Sequence, residues 1–188
     1  MLSPRFEGAP SSDRVVTFWD LIQAVAVRSL RFDPKAKKIS LGHIRSVVAE
    51  CEKRGIRYPL AADHTLYVFG SRLVLKTSEG VYIGADGVDR DQMYAGQIVE
   101  PFLREISFDG ERMAESWKPL ESSRYQVLLD PMMRFGLPRV SPGNILVESL
   151  TQAVASEGGI SEAARAFETL EEAVLLALKY QELLSSAA

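Results

Sequence analysis

The sequence predicts an α+β chain, and three changes in hydrophobic patterning carry that expectation. Residues 17–54 place apolar side chains at helical spacing, residues 66–83 switch towards strands, and residues 135–184 return to Ala- and Leu-rich helices broken at Gly158-Gly159. Three pieces follow: 1–60, a region of helices; 61–131, a small antiparallel sheet with one helix; and 132–188, a three-helix domain of helix-turn-helix type. At 188 residues, 46% hydrophobic and 25% charged, the chain can bury a substantial core. No run of about 18 apolar residues is present, and Met1-Leu2-Ser3-Pro4-Arg5 lacks the apolar core of a signal peptide. A single cysteine, Cys51, rules out an internal disulfide and points to the reducing cytoplasm.

Residues 1–14 are rich in Ser, Pro and Gly and read as a loop or an extended wing flanked by Arg5 and Arg14. A helix begins at Thr17, where Thr17 and Asp20 have the spacing of a capping box. Phe18, Trp19, Leu21, Ile22, Val25, Val27 and Leu30 make it apolar on most faces, and Asp33-Pro34 stops it. Lys35, Lys37 and Lys38 form a basic loop. A second helix runs from the Ser40 cap to Gly55, with Leu41, Ile44, Val47, Val48 and Cys51 on its inner face. His43, Arg45, Ser46, Lys53 and Arg54 are expected to face outward.

Leu66 to Ile83 reads as a meander with turns at Gly70-Ser71 and Ser78-Glu79-Gly80. Residues 90–105 read as a helix interrupted at Pro101. Asp109-Gly110 signals a two-residue hairpin turn, and Tyr125 to Leu129 reads as a further strand. Asp130-Pro131 is the expected hinge before the last domain, in which Ser161 and Thr169 are the expected helix N-caps.

Charge is uneven along the chain. Residues 1–60 hold eleven Lys/Arg against six Asp/Glu, a net of +5, which leaves eleven against nineteen, −8, for residues 61–188. From Ser141 onward two basic residues, Arg165 and Lys179, face seven acidic ones, a net of −5. The helix in the position of a reading helix begins Leu170-Glu171-Glu172, which would set carboxylates against phosphates. That helix is also apolar nearly all round, because Leu175, Leu176 and Leu183 lie off the stripe of Leu170, Ala173, Val174, Ala177, Leu178 and Leu184. Those three leucines are the expected dimer or partner interface.

Nothing in the sequence assembles a reaction centre. Asp86, Asp89 and Asp91 lack the closing Glu of a calcium loop. His43 and His64 lack partners at zinc spacing, Gly84-Ala85-Asp86-Gly87 lacks the context of a nucleotide site, and Cys51 falls on an apolar helix face. The expectation is a non-enzyme with no metal, cofactor or small-molecule substrate.

Two resemblances sharpen this reading. Pro4-Arg5, Arg14 before Val15-Val16, Asp20-Leu21, Leu30-Arg31 and Ile39-Ser40-Leu41 followed by Ile44-Arg45 resemble the wing and following helices of the MerR family of winged-helix regulators. That implies a partial winged-helix region without the reading helix-turn-helix that precedes it in the family, and DNA-backbone contacts from Arg5, Arg14, Lys37, Lys38 and Arg45. DNA affinity would then be weak or would depend on a missing N-terminal segment. Together with that wing and the small sheet, Trp117-Lys118-Pro119, Asp130-Pro131 and Phe135-Gly136-x-Pro138-x-Val140 before an Ala-rich three-helix ending resemble the larger VapB-type antitoxins over most of the chain, and Ile145-Leu146, Ser161-x-x-Ala164, Phe167 and Ala173-Val174-x-x-Ala177-Leu178 are similar to a small domain of unknown function found alone or fused in them. That resemblance implies a homodimer that neutralises a PIN-domain ribonuclease toxin and contributes to repression of its own operon. The rival reading is a MerR-like transcriptional regulator or dimeric adaptor with no toxin partner.

Overall fold

A computed structural model describes residues 16–32, 38–63, 65–69, 72–77, 80–85, 87–89, 97–98 and 105–186. The chain is α+β, with five helices and antiparallel strands among the described residues, and it divides into two compact units, 1–114 and 115–188. The division falls at Ala114/Glu115 rather than near residues 60 and 131. The reason is strand pairing: the first two helices share a core with the meander, and the strands from Trp117 to Leu129 pair into the sheet that backs the C-terminal helices.

In the first unit α1 spans Phe18–Phe32 and α2 spans Leu41–Glu52. The capping box at Thr17 forms as expected: Thr17 N donates to Asp20 Oδ2 at 2.9 Å and Asp20 N donates to Thr17 Oγ1 at 3.2 Å. Ser40 caps α2 by accepting from His43 N at 3.1 Å. Ile22, Ala26 and Leu30 of α1 and Ile44, Val47, Val48 and Cys51 of α2 are buried. Trp19 of α1 donates from Nε1 to Ala114 O at 3.0 Å and stacks at a tilt on Tyr58, 5.2 Å between ring centroids. Its polar edge is therefore satisfied while its half-buried rings rest against Tyr58.

The sheet of this unit has strand order β4-β3-β2-β1-β5, built from β1 (Thr65–Phe69), β2 (Arg72–Lys76), β3 (Tyr82–Gly84), β4 (Gly87–Asp89) and β5 (Gln97–Ile98). Leu75 pairs with Ile83, so both point to the face that α2 covers, and both are fully buried. Two expectations change here. Gln97–Ile98 is a strand paired to Tyr67 and Val68 instead of part of a helix, Glu105 is in a turn, and the remainder of that expected helix lies outside the described residues. Asp109-Gly110 is part of a wider turn after β6 (Ile106–Phe108): Asp109 N donates to Met113 O, while Asp109 Oδ1 accepts from Glu111 N and Met113 N. The side chain of Asp109 organises this loop by local backbone capture.

In the second unit β7 (Ala114–Glu121), β8 (Gln126–Leu129), β9 (Arg139–Ser141) and β10 (Ile145–Leu146) pair in the order β10-β9-β8-β7. The β7 register shifts between Trp117 and Leu120, where Pro119 has no N–H to give to a ladder. Helices α3 (Val147–Ser156), α4 (Ile160–Ala166) and α5 (Glu171–Ser186) pack on one another and α5 packs on β8 and β9. Val127, Val140, Leu150, Ala163, Ala173, Val174 and Ala177 form the core. Ala164 and Val174 are buried, as a tight helix-turn-helix requires of a small and a branched residue.

The connection between α3 and α4 turns on Gly158 and Gly159, at φ 92° and 152°. A Cβ at Gly159 would meet only the flexible end of Glu162, so glycine is needed there for its conformation. Gly159, not Ser161, occupies the N-cap of α4. Asp130-Pro131 lies inside this unit and is not a boundary.

Candidate protein-interaction site

The N-terminus of α5 is closed by its own chain. Glu172 accepts from Ser123 Oγ at 2.7 Å and from Arg124 N at 3.2 Å, and Ser161 Oγ donates to Glu171. Thr169, expected as the cap, donates instead to Tyr125 OH at 3.2 Å. Two carboxylates at the positive end of a helix are favourable there, and hydrogen bonds from Ser123 above all hold the Glu172 carboxyl below the ordinary glutamate value of 4.5. A group whose folded pKa is depressed stabilises above its unfolded pKa, and that stabilisation is lost as pH falls through the folded value. Glu172→Gln should therefore lower stability at neutral pH, change it little once the carboxyl would be protonated, and so flatten the acid limb of the unfolding profile below about pH 4.5; an unchanged acid limb in urea melts would rule this anchor out.

The three leucines expected as an interface separate. Leu175 and Leu183 are 51% and 49% exposed, whereas Leu176 is 4% exposed and packed within its own unit. Leu176 is thus a core residue, because β8 and β9 cover a second side of α5. Leu175 shares its side of the helix with Lys179 and Glu182, so it is a lone apolar side chain of the kind that needs no partner.

The apolar surface that does cluster lies one loop earlier. Between β8 and β9 the chain makes a tight loop, Pro131–Pro138, with a 3₁₀ turn at Arg134–Gly136. Arg134, Phe135 and Gly136 are all left-handed, at φ 51°, 58° and 76°. For two non-glycine residues in succession that conformation is unfavourable and persists only where neighbours enforce it. Here Asp130 Oδ1 accepts from Met132 N at 2.8 Å, Asp130 O accepts from Met133 N, Met133 O from Gly136 N and Arg134 O from Leu137 N. Arg139, buried below the loop, reaches Asp130 Oδ2 at 3.4 Å and donates to Asn144 Oδ1. The result is a braced loop that projects Phe135, 99% exposed, beside exposed Met132, Met133 and Leu137.

Next to its base, Pro138, Val147, Glu148, Tyr180 and Leu184 line a cleft of ≈ 400 Å³ between the start of α3 and the end of α5. Leu184 continues the buried stripe of Ala173, Ala177 and Tyr180 past the end of the core and is 54% exposed. Neither loop nor cleft stood out in the sequence as an interaction surface. Apolar residues at 132, 133, 135 and 137 between two prolines were the available signal, but only the folded loop, with its left-handed turn, shows that they point outward.

Of the expected DNA-backbone residues, Arg5, Arg14 and Lys37 lie outside the described residues. Lys38 and Arg45 are exposed at the start and outer face of α2. Lys53 and Arg54, just past the end of that helix, both pair with Glu50 and so present less free positive charge than their number suggests. His43 does not face outward: Nε2 accepts from Leu73 N at 2.9 Å and ties α2 to β2. Val16, which the winged-helix resemblance includes just before the first helix, is exposed and outside any strand. Burial pushes the Cys51 thiol up to about 12, which keeps it protonated and a poor nucleophile. Among the described residues no group of three or more His, Cys, Asp or Glu side chains could hold a metal ion, and no helix is long and apolar enough to cross a membrane.

No family model matches the chain, and no curated protein matches it. The chain is similar in structure to Rv2018 from Mycobacterium tuberculosis, known from an X-ray crystal structure, with a TM-score of 0.58. The two share 15% identity over 90% of this chain and 81% of that one. At that identity the likeness is one of fold.

Proposed function

We propose that the chain is the antitoxin of a type II toxin–antitoxin pair, a non-enzymatic cytoplasmic protein that neutralises a PIN-domain ribonuclease by binding it and contributes to repression of its own operon. One observation carries the reading. The motifs of that resemblance in the last part of the chain are scattered over residues 117–178, yet they fall in a single compact unit, 115–188, where Ala164, Ala173, Val174 and Ala177 form its helical core. A protein-binding role also suits a unit of net charge −5 from Ser141 onward, whose would-be reading helix has its first carboxylates engaged by Ser123, Arg124 and Ser161. Such a helix is unsuited to phosphates.

The second reading, a regulator or dimeric adaptor without a toxin, draws on exposed Lys38 and Arg45 and on the +5 charge of residues 1–60. Phosphate contacts of that kind carry no sequence information. Co-expression with a small acidic-site nuclease encoded beside this chain decides between them. The antitoxin reading expects restored growth and a co-purifying complex. Toxicity that persists with no complex, together with salt-sensitive promoter binding by the chain alone, would establish the regulator instead.

A further inference from the structure

We infer that the Phe135 loop and the cleft beside it form a surface that docks on a second copy of this chain, each copy placing Phe135 in the other's cleft and Arg134 against the other's Glu148. The inference does not rest on the antitoxin reading, because it concerns the chain without any toxin.

Both halves of the match lie in one unit. Phe135 projects fully from a loop braced by Asp130 and by backbone hydrogen bonds, so a binding partner would not have to order it. Pro138, three residues further on, already lines the cleft with Val147, Tyr180 and Leu184, so knob and hole lie within roughly 10 Å along the chain. A patch that carries both a knob and its own hole is self-complementary, which is what a two-fold interface requires. A different protein would have to bring a complement to each. Charge repeats the pattern: Arg134 flanks the knob and Glu148 lines the hole, so the two-fold arrangement sets opposite charges together twice. The exposed apolar part, Met132, Phe135, Leu137 and Leu184 with part of Met133, is on the order of 500 Å² per copy, near the upper end of what a monomer leaves open. Two such patches bury about 1,000 Å², the size of a weak, reversible association.

Sedimentation of the full chain across about 1 to 200 μM tests this. A monomer–dimer equilibrium with Kd in the micromolar range is expected. Phe135→Asp, at an exposed position whose left-handed backbone Asp tolerates, should raise Kd at least about tenfold. Leu175→Asp, a control outside the patch, should leave it unchanged. Arg134→Glu and Glu148→Arg should each weaken the dimer several-fold, and the double variant should recover most of the loss, a rescue that a folding defect would not produce. A chain that stays monomeric at 200 μM, with the patch covered by other residues of the same chain, overturns the inference. So does a dimer insensitive to Phe135→Asp, or a double variant no tighter than the single ones.

Discussion

Leu176→Glu unfolds the second unit, whereas Leu175→Glu leaves it folded. The two leucines are neighbours on α5, equal in composition and opposite in surroundings: Leu176 is 4% exposed and Leu175 51%. A glutamate at 176 loses the leucine's apolar burial and puts an ionisable group where it must either protonate or remain desolvated. The cost is about 5 kcal/mol, at the severe end for a single substitution. A unit of this length holds roughly 4–11 kcal/mol in all, so Leu176→Glu consumes most or all of it. At 175 the carboxylate stays in water, and the change should be within about 0.5 kcal/mol. Trp19 and Trp117 lie in different units, so Trp19→Phe leaves Trp117 to report the second unit alone in urea titrations. Equal midpoints for the two leucine variants would show that Leu176 is not part of the core.

The contrast between these leucines also marks what the sequence could convey. Period and punctuation located the helices well: the Thr17/Asp20 box, the Ser40 cap and the glycine break at 158–159 are local chemistry, and local chemistry is written in adjacent residues. Leu176 was misplaced because α5 is covered on two sides, and only the strands from Gln126 to Ser141 supply the second cover. His43 was misplaced for a similar reason, since its partner, Leu73 N, is thirty residues away. Ser161 and Thr169 have capping chemistry, but tertiary partners, Glu171 and Tyr125, claim their hydroxyls. The interaction surface was hidden most completely. Met132 to Leu137 is apolar enough to pass for core, and its exposure depends on a left-handed backbone at Arg134 and Phe135 that neither residue type favours by itself.

That backbone stands on Arg139, and Arg139→Ala should lower the stability of the second unit by about 3 kcal/mol and loosen the loop above it. Arg139 sits in β9 with its side chain 7% exposed, between Asp130 Oδ2 and Asn144, while its Nε has no hydrogen-bond partner. The orphaned Nε and the long 3.4 Å approach to Asp130 mean that the pair itself contributes little net stability, since desolvation offsets much of the attraction. Truncation is costly for a different reason: it leaves the Asp130 carboxylate, only 18% exposed, without its cation. Asp130 is also the residue that accepts from Met132 N and Met133 N, so the first turn of the loop shifts with it. Asp130→Ala alone should be costly as well, by stranding the guanidinium. The double variant should cost less than the two single losses added, with a coupling of about 1–2 kcal/mol. Denaturation midpoints read the stability term, and amide exchange at residues 132–137 reads the loop. Strict additivity, or exchange in the loop unchanged by Arg139→Ala, would show that the loop holds its left-handed turn without the buried pair.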